Sequence, residues 1–161
     1  MGYYVTGDGF VSIKTNDIPS AYKALCDLNQ RDDLKRGGSY GGGGVDQSSP
    51  RPDGLNYHPA RWFSWMDANY PDTLHSVDEI LTSLGFDFVI KVTGDETFYT
   101  LNYDNKIGQE NEFFTALAPF IVSGEVYWRG EDGNHWMWKF EDGKLKWFDG
   151  EVTYTYHEVK S

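Results

Sequence analysis

The chain has a single cysteine, Cys26, so no disulfide can close within it and a cysteine-rich zinc site is excluded. Cys26 falls on the apolar stripe of an expected helix, where a buried structural thiol is expected. The four histidines, His58, His75, His135 and His157, stand singly; none forms an HxxxH or HExxH pattern, so no metal site and no cofactor are expected. No window approaches the roughly 18 consecutive apolar residues of a membrane-spanning helix. The first residues lack the basic and apolar regions of a secretory signal, so a cytoplasmic protein is expected. The run "GGSYGGGG" lacks the Lys-Ser/Thr that ends a phosphate-binding loop, and no helical pattern follows it.

Positive charge is short in one half only. Residues 1 to 66 carry seven Lys or Arg against seven Asp or Glu, whereas residues 67 to 161 carry seven against eighteen, so the net charge of −11 belongs to the second part. Such a surface repels phosphates and attracts basic partners, which disfavours direct nucleic-acid binding there. An acidic surface also serves solubility alone.

Aromatic residues are abundant. At 161 residues, 39% hydrophobic and 17% aromatic content is enough for a real core, and one domain is expected. "GYYVTGDGFVSIK" alternates β-branched and aromatic residues around Gly7-Asp8-Gly9 and reads as a tight hairpin or a bulged strand. "NDIPSAYKALCDLNQ" predicts a helix with Asn16 or Asp17 as N-cap, Pro19 in the first turn, and Ile18, Tyr22, Leu25 and Leu28 on one stripe.

Residues 36 to 60 have no apolar period and hold clustered Gly and Pro, which predicts a flexible loop. Lys35, Arg36, Tyr40, Arg51 and Tyr57 would make it a basic and aromatic arm able to close on a partner, unless it is only a tolerated insertion. "RWFSWM" reads as a short aromatic strand or turn. In "HSVDEILTSLGF", Ser76 and Glu79 have capping-box spacing and Gly85 marks the helix stop. "FDFVIKV" and "TFYTLNYD", joined by "TGDE", form a hairpin, and "GQENEFFTALAPF" a third helix.

From residue 121 onward the pattern is strand and turn: "EVYWR", "HWMWKF", "KLKWF" and "EVTYTYHEV", separated by "GEDGN", "EDG" and "DG". Alternation puts Trp136, Trp138 and Phe140 on one face, with Val126, Trp128, Leu145 and Trp147 as matching candidates for a core. The other face holds Tyr127, Arg129, His135, Met137, Lys139 and Phe148 and is the place to look for a binding surface. The fold expected is α+β, an antiparallel sheet with a C-terminal β-meander packed against about three helices.

Two chemical readings attach to the meander. His135 follows Glu131 and Asp132 within one turn, so an imidazole–carboxylate pair for a small hydrolase is conceivable, although no nucleophile stands in a recognised elbow. Indole faces also stack bases or sugars, which leaves a module that sequesters a nucleotide or sugar open.

The start "MGYY", "RWFSWM", "YDNKIGQENEFFTALAPF" and above all "GEVYWRGEDGNHWMWKFEDGKL" resemble small uncharacterised proteins of bacteriophages and actinobacteria. The resemblance covers most of residues 60 to 150 and carries no catalytic residue. It implies a phage setting, in which small acidic proteins often inhibit host defence machinery such as CRISPR effectors by occupying a basic nucleic-acid surface. The function expected is therefore a non-enzymatic inhibitor acting on a host protein complex. Glu125, Glu131, Asp132, Glu141, Asp142, Asp149 and Glu151 are the candidate phosphate mimics, and Tyr127 and Trp128 the candidate anchors.

Overall fold

The structure is a computed structural model describing residues 2–40, 44–151 and 157–159. The fold is α+β. It is built on one six-stranded antiparallel sheet whose order places the N-terminal strand β1 (Tyr4–Lys14) in the interior. On one side of β1 lie β5 (Glu96–Lys106) and then the edge strand β4 (Phe86–Thr93). On the other lies the meander β6 (Ile121–Gly130), β7 (His135–Glu141) and β8 (Lys144–Gly150). A second, two-stranded ladder pairs β2 (Gly37–Gly38) with β3 (Arg61–Trp62).

The "YVTGDGFVSIK" stretch is one extended strand paired throughout with β5, so the hairpin alternative is corrected. Its glycines answer tertiary demands. A Cβ on Gly7 would lie 2.6 Å from the Trp128 ring, and one on Gly9 would lie 2.0 Å from the Glu125 carbonyl oxygen. The irregularity falls elsewhere: the β1–β6 register slips between Ser12 and Ile13, leaving Val122 of β6 without a partner, as in a bulge.

Among the described residues four helices, one of them a single turn, lie on one face of the sheet. The first, α1 (Ile18–Asp27), is entered from a 3-10 turn over Thr15–Asp17. Asp17 occupies its N-cap position but makes no side-chain cap bond, because its backbone already continues that turn. A one-turn helix, α2 (Tyr70–Thr73), escapes the sequence reading; its Tyr70 is fully buried and donates its hydroxyl to the Leu25 carbonyl of α1.

In α3 (Val77–Leu84) Ser76 caps the N-terminus, accepting from the Glu79 N–H at 3.1 Å, while the Glu79 carboxylate accepts from the Ser76 hydroxyl at 3.3 Å rather than from its backbone N–H, so the expected box forms by half; Gly85 at φ 109° closes the C-terminus. The last helix, α4 (Glu110–Leu117), runs into a 3-10 turn over Ala118–Phe120. Among the described residues no helix is long and apolar enough to cross a membrane.

The core is an aromatic layer between α4 and the sheet. Phe114 sits 5.2 Å from Phe86 and 5.4 Å from Trp138, and Trp138 sits 4.8 Å from Trp128, between ring centroids. Gly7 is the position on β1 over which the Trp128 ring lies. Burying each such side chain contributes about 1.5–3 kcal/mol, which a four-residue helix or a two-residue ladder cannot supply for itself.

Residues 44 to 60 are tied down by polar contacts. The Gln109 side chain, itself buried, donates to the Leu34 carbonyl and accepts from the N–H groups of Arg36 (2.9 Å) and Ser64 (3.2 Å), pinning both roots of the loop. His58 is buried as well, accepting from the Ala60 N–H and bonded to the Ser49 carbonyl, so it is structural. Cys26 is half-buried on α1.

Candidate functional site

The face of the sheet away from the helices is open across all six strands. Registers between neighbouring strands align Asp87, Asn102, Asp8, Tyr127, Met137 and Phe148 in one row from β4 to β8. The parallel row reads Val89, Thr100, Phe10, Glu125, Lys139 and Lys146. Tyr127 is 50% exposed and Phe148 45%, both well above a sheet face buried under helices. The Tyr127 hydroxyl donates to Glu125 at 2.6 Å, and Glu125 holds the tyrosine above its ordinary pKa through that bond. A concavity of about 640 Å³ opens between β1, β5 and β4, with Phe10, Phe98, Lys91 and Asp8 on its walls.

The candidate carboxylates separate into two groups at opposite ends of the meander. Glu131 and Asp132 lie in the β6–β7 turn, and Asp149 sits beside them because it pairs with Trp136 near the start of β7. Glu131 accepts from the Tyr4 N–H at 3.2 Å. Asp132 accepts from the Tyr3 hydroxyl and from Asn134 Nδ2 at 2.9 Å, and the tyrosine bond holds its carboxyl below the usual range. Glu151 follows β8, exposed.

The other group is neutralised locally. Glu141 meets Lys139 at 3.0 Å and Lys146 at 3.1 Å, which lower its pKa, and Asp142 is 3.9 Å from Lys146. Asp142 and Gly143 both have positive φ, 53° and 71°, as a two-residue type I′ turn demands. Their position is thus explained by the turn.

Trp128 cannot anchor a partner: it is 3% exposed and belongs to the aromatic layer, while its sequence neighbour Tyr127 points out. The indole N–H groups of Trp128, Trp136 and Trp138 are buried without a hydrogen-bond partner among the described residues. His135 is not paired with a carboxylate. Among the described residues its ring makes no hydrogen bond, and the Asp132 oxygens are taken by Tyr3 and Asn134. No group of three or more His, Cys, Asp or Glu able to hold a metal is assembled among the described residues.

The residues expected on a free arm have three different surroundings. The Lys35 side chain is fully buried, 2.7 Å from Asp32 and over the Phe63 ring at 5.9 Å, and Arg51 meets the same Asp32 at 2.9 Å. Burial raises the Asp32 carboxyl, but the bonds from Lys35 and Arg51 outweigh it and leave it below its ordinary value. Tyr57 is half-buried, and Arg36 and Tyr40 face solvent. Two residues that sequence reasoning passed over matter more: Gln109, and Glu110, whose buried carboxylate accepts from Tyr103 Oη at 2.6 Å and from the Gly108 N–H at 2.9 Å. Burial raises the Glu110 pKa despite those bonds. In the sequence both read only as polar residues at a helix start. The fourth strand expected at residues 151 to 159 lies largely outside the described residues.

Comparison of the chain with protein-family models, with curated proteins and with solved structures finds no match.

Proposed function

We propose that this protein is a non-enzymatic binding protein that presents the open face of its sheet and the carboxylate end of the meander to a basic surface on a nucleic-acid-handling complex. The observation that carries the reading is the six-strand open face. It places Asp8, Asp87 and Glu125 among Tyr127, Phe10 and Phe148, with Glu131, Asp132 and Asp149 at one end. Carboxylates spaced along a rigid sheet act as phosphate substitutes, and exposed aromatic rings supply the desolvated contacts. A net charge of −11 steers the encounter. The resemblance to phage proteins sets the complex in a host cytoplasm, with a CRISPR-type effector as the target class.

The test is retention of host proteins on the immobilised protein at low and high salt. A nucleic-acid-binding complex should be held at low salt, displaced by duplex DNA, and lost when Glu125, Glu131 and Asp149 are changed to their amides. Failure to retain any protein at either salt refutes the reading.

One observation favours a second reading. Trp136 and Trp147 border a cavity of about 640 Å³ with Tyr3, Asp132, Asn134 and His135 on its rim, and Trp147 is 53% exposed. An indole beside carboxylate and amide groups suits the ring and hydroxyls of a sugar. Titration with oligosaccharides, read by tryptophan fluorescence, would give saturable quenching that Trp147→Ala removes.

A further inference from the structure

We infer that β4 is a self-association edge, pairing antiparallel with β4 of a second copy to make one continuous sheet. The two edges of the six-stranded sheet are treated differently. β8 carries Lys144, Lys146 and Asp149 in seven residues, the charges that discourage pairing. β4 runs for eight residues in unbroken register with β5, has no proline or bulge, and exposes Val89 (69%), Ile90 (41%) and Val92 (62%).

The turn fixes which backbone groups are free. β4 and β5 are joined by Gly94-Asp95 between the paired residues Thr93 and Glu96, with Gly94 at φ 63° as the first residue of a type II′ turn requires. The pair closing a two-residue hairpin is hydrogen-bonded. Thr93, Lys91, Val89 and Asp87 therefore bond to β5, while Phe86, Phe88, Ile90 and Val92 turn their N–H and C=O groups outward. Among the described residues none of these four makes a backbone bond outside the sheet.

Charge selects the occupant and the register. In a chain of net charge −11, β4 is locally neutral, holding one Asp and one Lys. Neither Asp87 nor Lys91 is in an ion pair among the described residues. With a two-fold axis at Val89, Asp87 of each copy faces Lys91 of the other, Phe88 faces Ile90, and Phe86 faces Val92. The outward-turned residues then form the hydrogen-bonded pairs, and Asp87 and Lys91 take the non-hydrogen-bonded positions, where facing Cα atoms are only about 4.5 Å apart. Moving the axis to Ile90 sets Lys91 against Val89 and Asp87 against Thr93, which loses both ion pairs. The sequence of β4 is thus self-complementary about Val89, as a symmetric interface requires. The association leaves both meanders at the outer ends of the joined sheet.

Sedimentation equilibrium from low micromolar to several hundred micromolar protein tests the inference. The mass should rise from 18.4 kDa toward twice that value. Asp87→Lys should hold the chain monomeric at all concentrations, and the swapped pair Asp87→Lys with Lys91→Asp should recover the wild-type dissociation constant within a few-fold. In a Cys26→Ser background, Val89→Cys should oxidise to a covalent dimer while Thr100→Cys, one strand inward, should not. Circular dichroism checks that each variant keeps its fold. A wild-type mass of 18.4 kDa throughout the range, or a dimer that Asp87→Lys leaves unchanged, refutes the inference.

Discussion

Replacing Gly9 with alanine adds one methyl group at the centre of the sheet, and the structure sets its cost. The new Cβ would stand 2.0 Å from the Glu125 carbonyl oxygen and 2.7 Å from the Val126 Cα, both backbone atoms of β6. Carbon–oxygen contacts sit at about 3.3 Å or beyond, so β6 must withdraw from β1 by about 1 Å at this point. The flanking Gly7–Trp128 and Val11–Gly124 pairs are then stretched. Weakening two backbone hydrogen bonds and straining the packing together cost about 3–5 kcal/mol, a large part of the ~5–15 kcal/mol that holds a domain together.

Thermal unfolding followed by far-ultraviolet circular dichroism should show the midpoint falling by roughly 6–20 °C. Two companions calibrate the result. Gly7→Ala meets the Trp128 ring at 2.6 Å, a side chain that can shift, so about 1–3 kcal/mol is expected. Gly44→Ala meets nothing within 4 Å and should be neutral or slightly stabilising. A Gly9→Ala loss below about 1 kcal/mol, or a loss no larger than that of Gly7→Ala, would refute the assignment of Gly9 to close backbone contact.

Three further perturbations test other parts of the fold. Ser76→Ala removes the α3 cap and should lower stability by about 1 kcal/mol in urea denaturation, without changing the slope. Asp32→Asn leaves the buried Lys35 without its anion and should cost about 3 kcal/mol at neutral pH. Because the folded Asp32 pKa is depressed, its contribution is present above the ordinary carboxylate value and lost as pH falls through the folded one, so wild type and variant should converge in acid. Glu110 has the opposite sign. Its raised folded pKa makes stability fall as pH rises from the ordinary carboxylate value through the folded one. Glu110→Gln should remove that slope and raise the neutral-pH midpoint, and an unchanged slope would count against a strained buried carboxylate.

Local chemistry made much of this fold legible. Ser76, Glu79 and Gly85 bound α3 through atoms within one helix, and Gly94 and Asp142-Gly143 set their hairpins through their own backbone angles. Gly7-Asp8-Gly9 misled because the same residues that permit a turn also permit close approach, and only Trp128 and Glu125, more than a hundred residues on, decide between them. The loop was legible in composition but not in contacts, since Asp32, Arg51 and Gln109 meet across long stretches of chain. At the candidate site, alternation placed Trp128 with Val126, and the register put that face on the core. Which carboxylates are free depends on lysines brought alongside by pairing, which separates Glu141 from Glu131 despite similar turns.

The interior position of β1 has a consequence for how the protein is made. Its first neighbour, β5, begins at Glu96, and its second, β6, begins at Ile121. At ~5–20 residues per second on the ribosome, an extended segment already synthesised must wait on the order of 5–20 s before any strand is available to it. During that interval Val5, Val11 and Ile13 have no sheet to join, and the earliest stable unit is instead local, α3 with the β4–β5 hairpin. Contacts of such long sequence separation slow folding. Nascent chains arrested before residue 96 should therefore bind chaperones through the N-terminal segment, and release from them should coincide with emergence of β5.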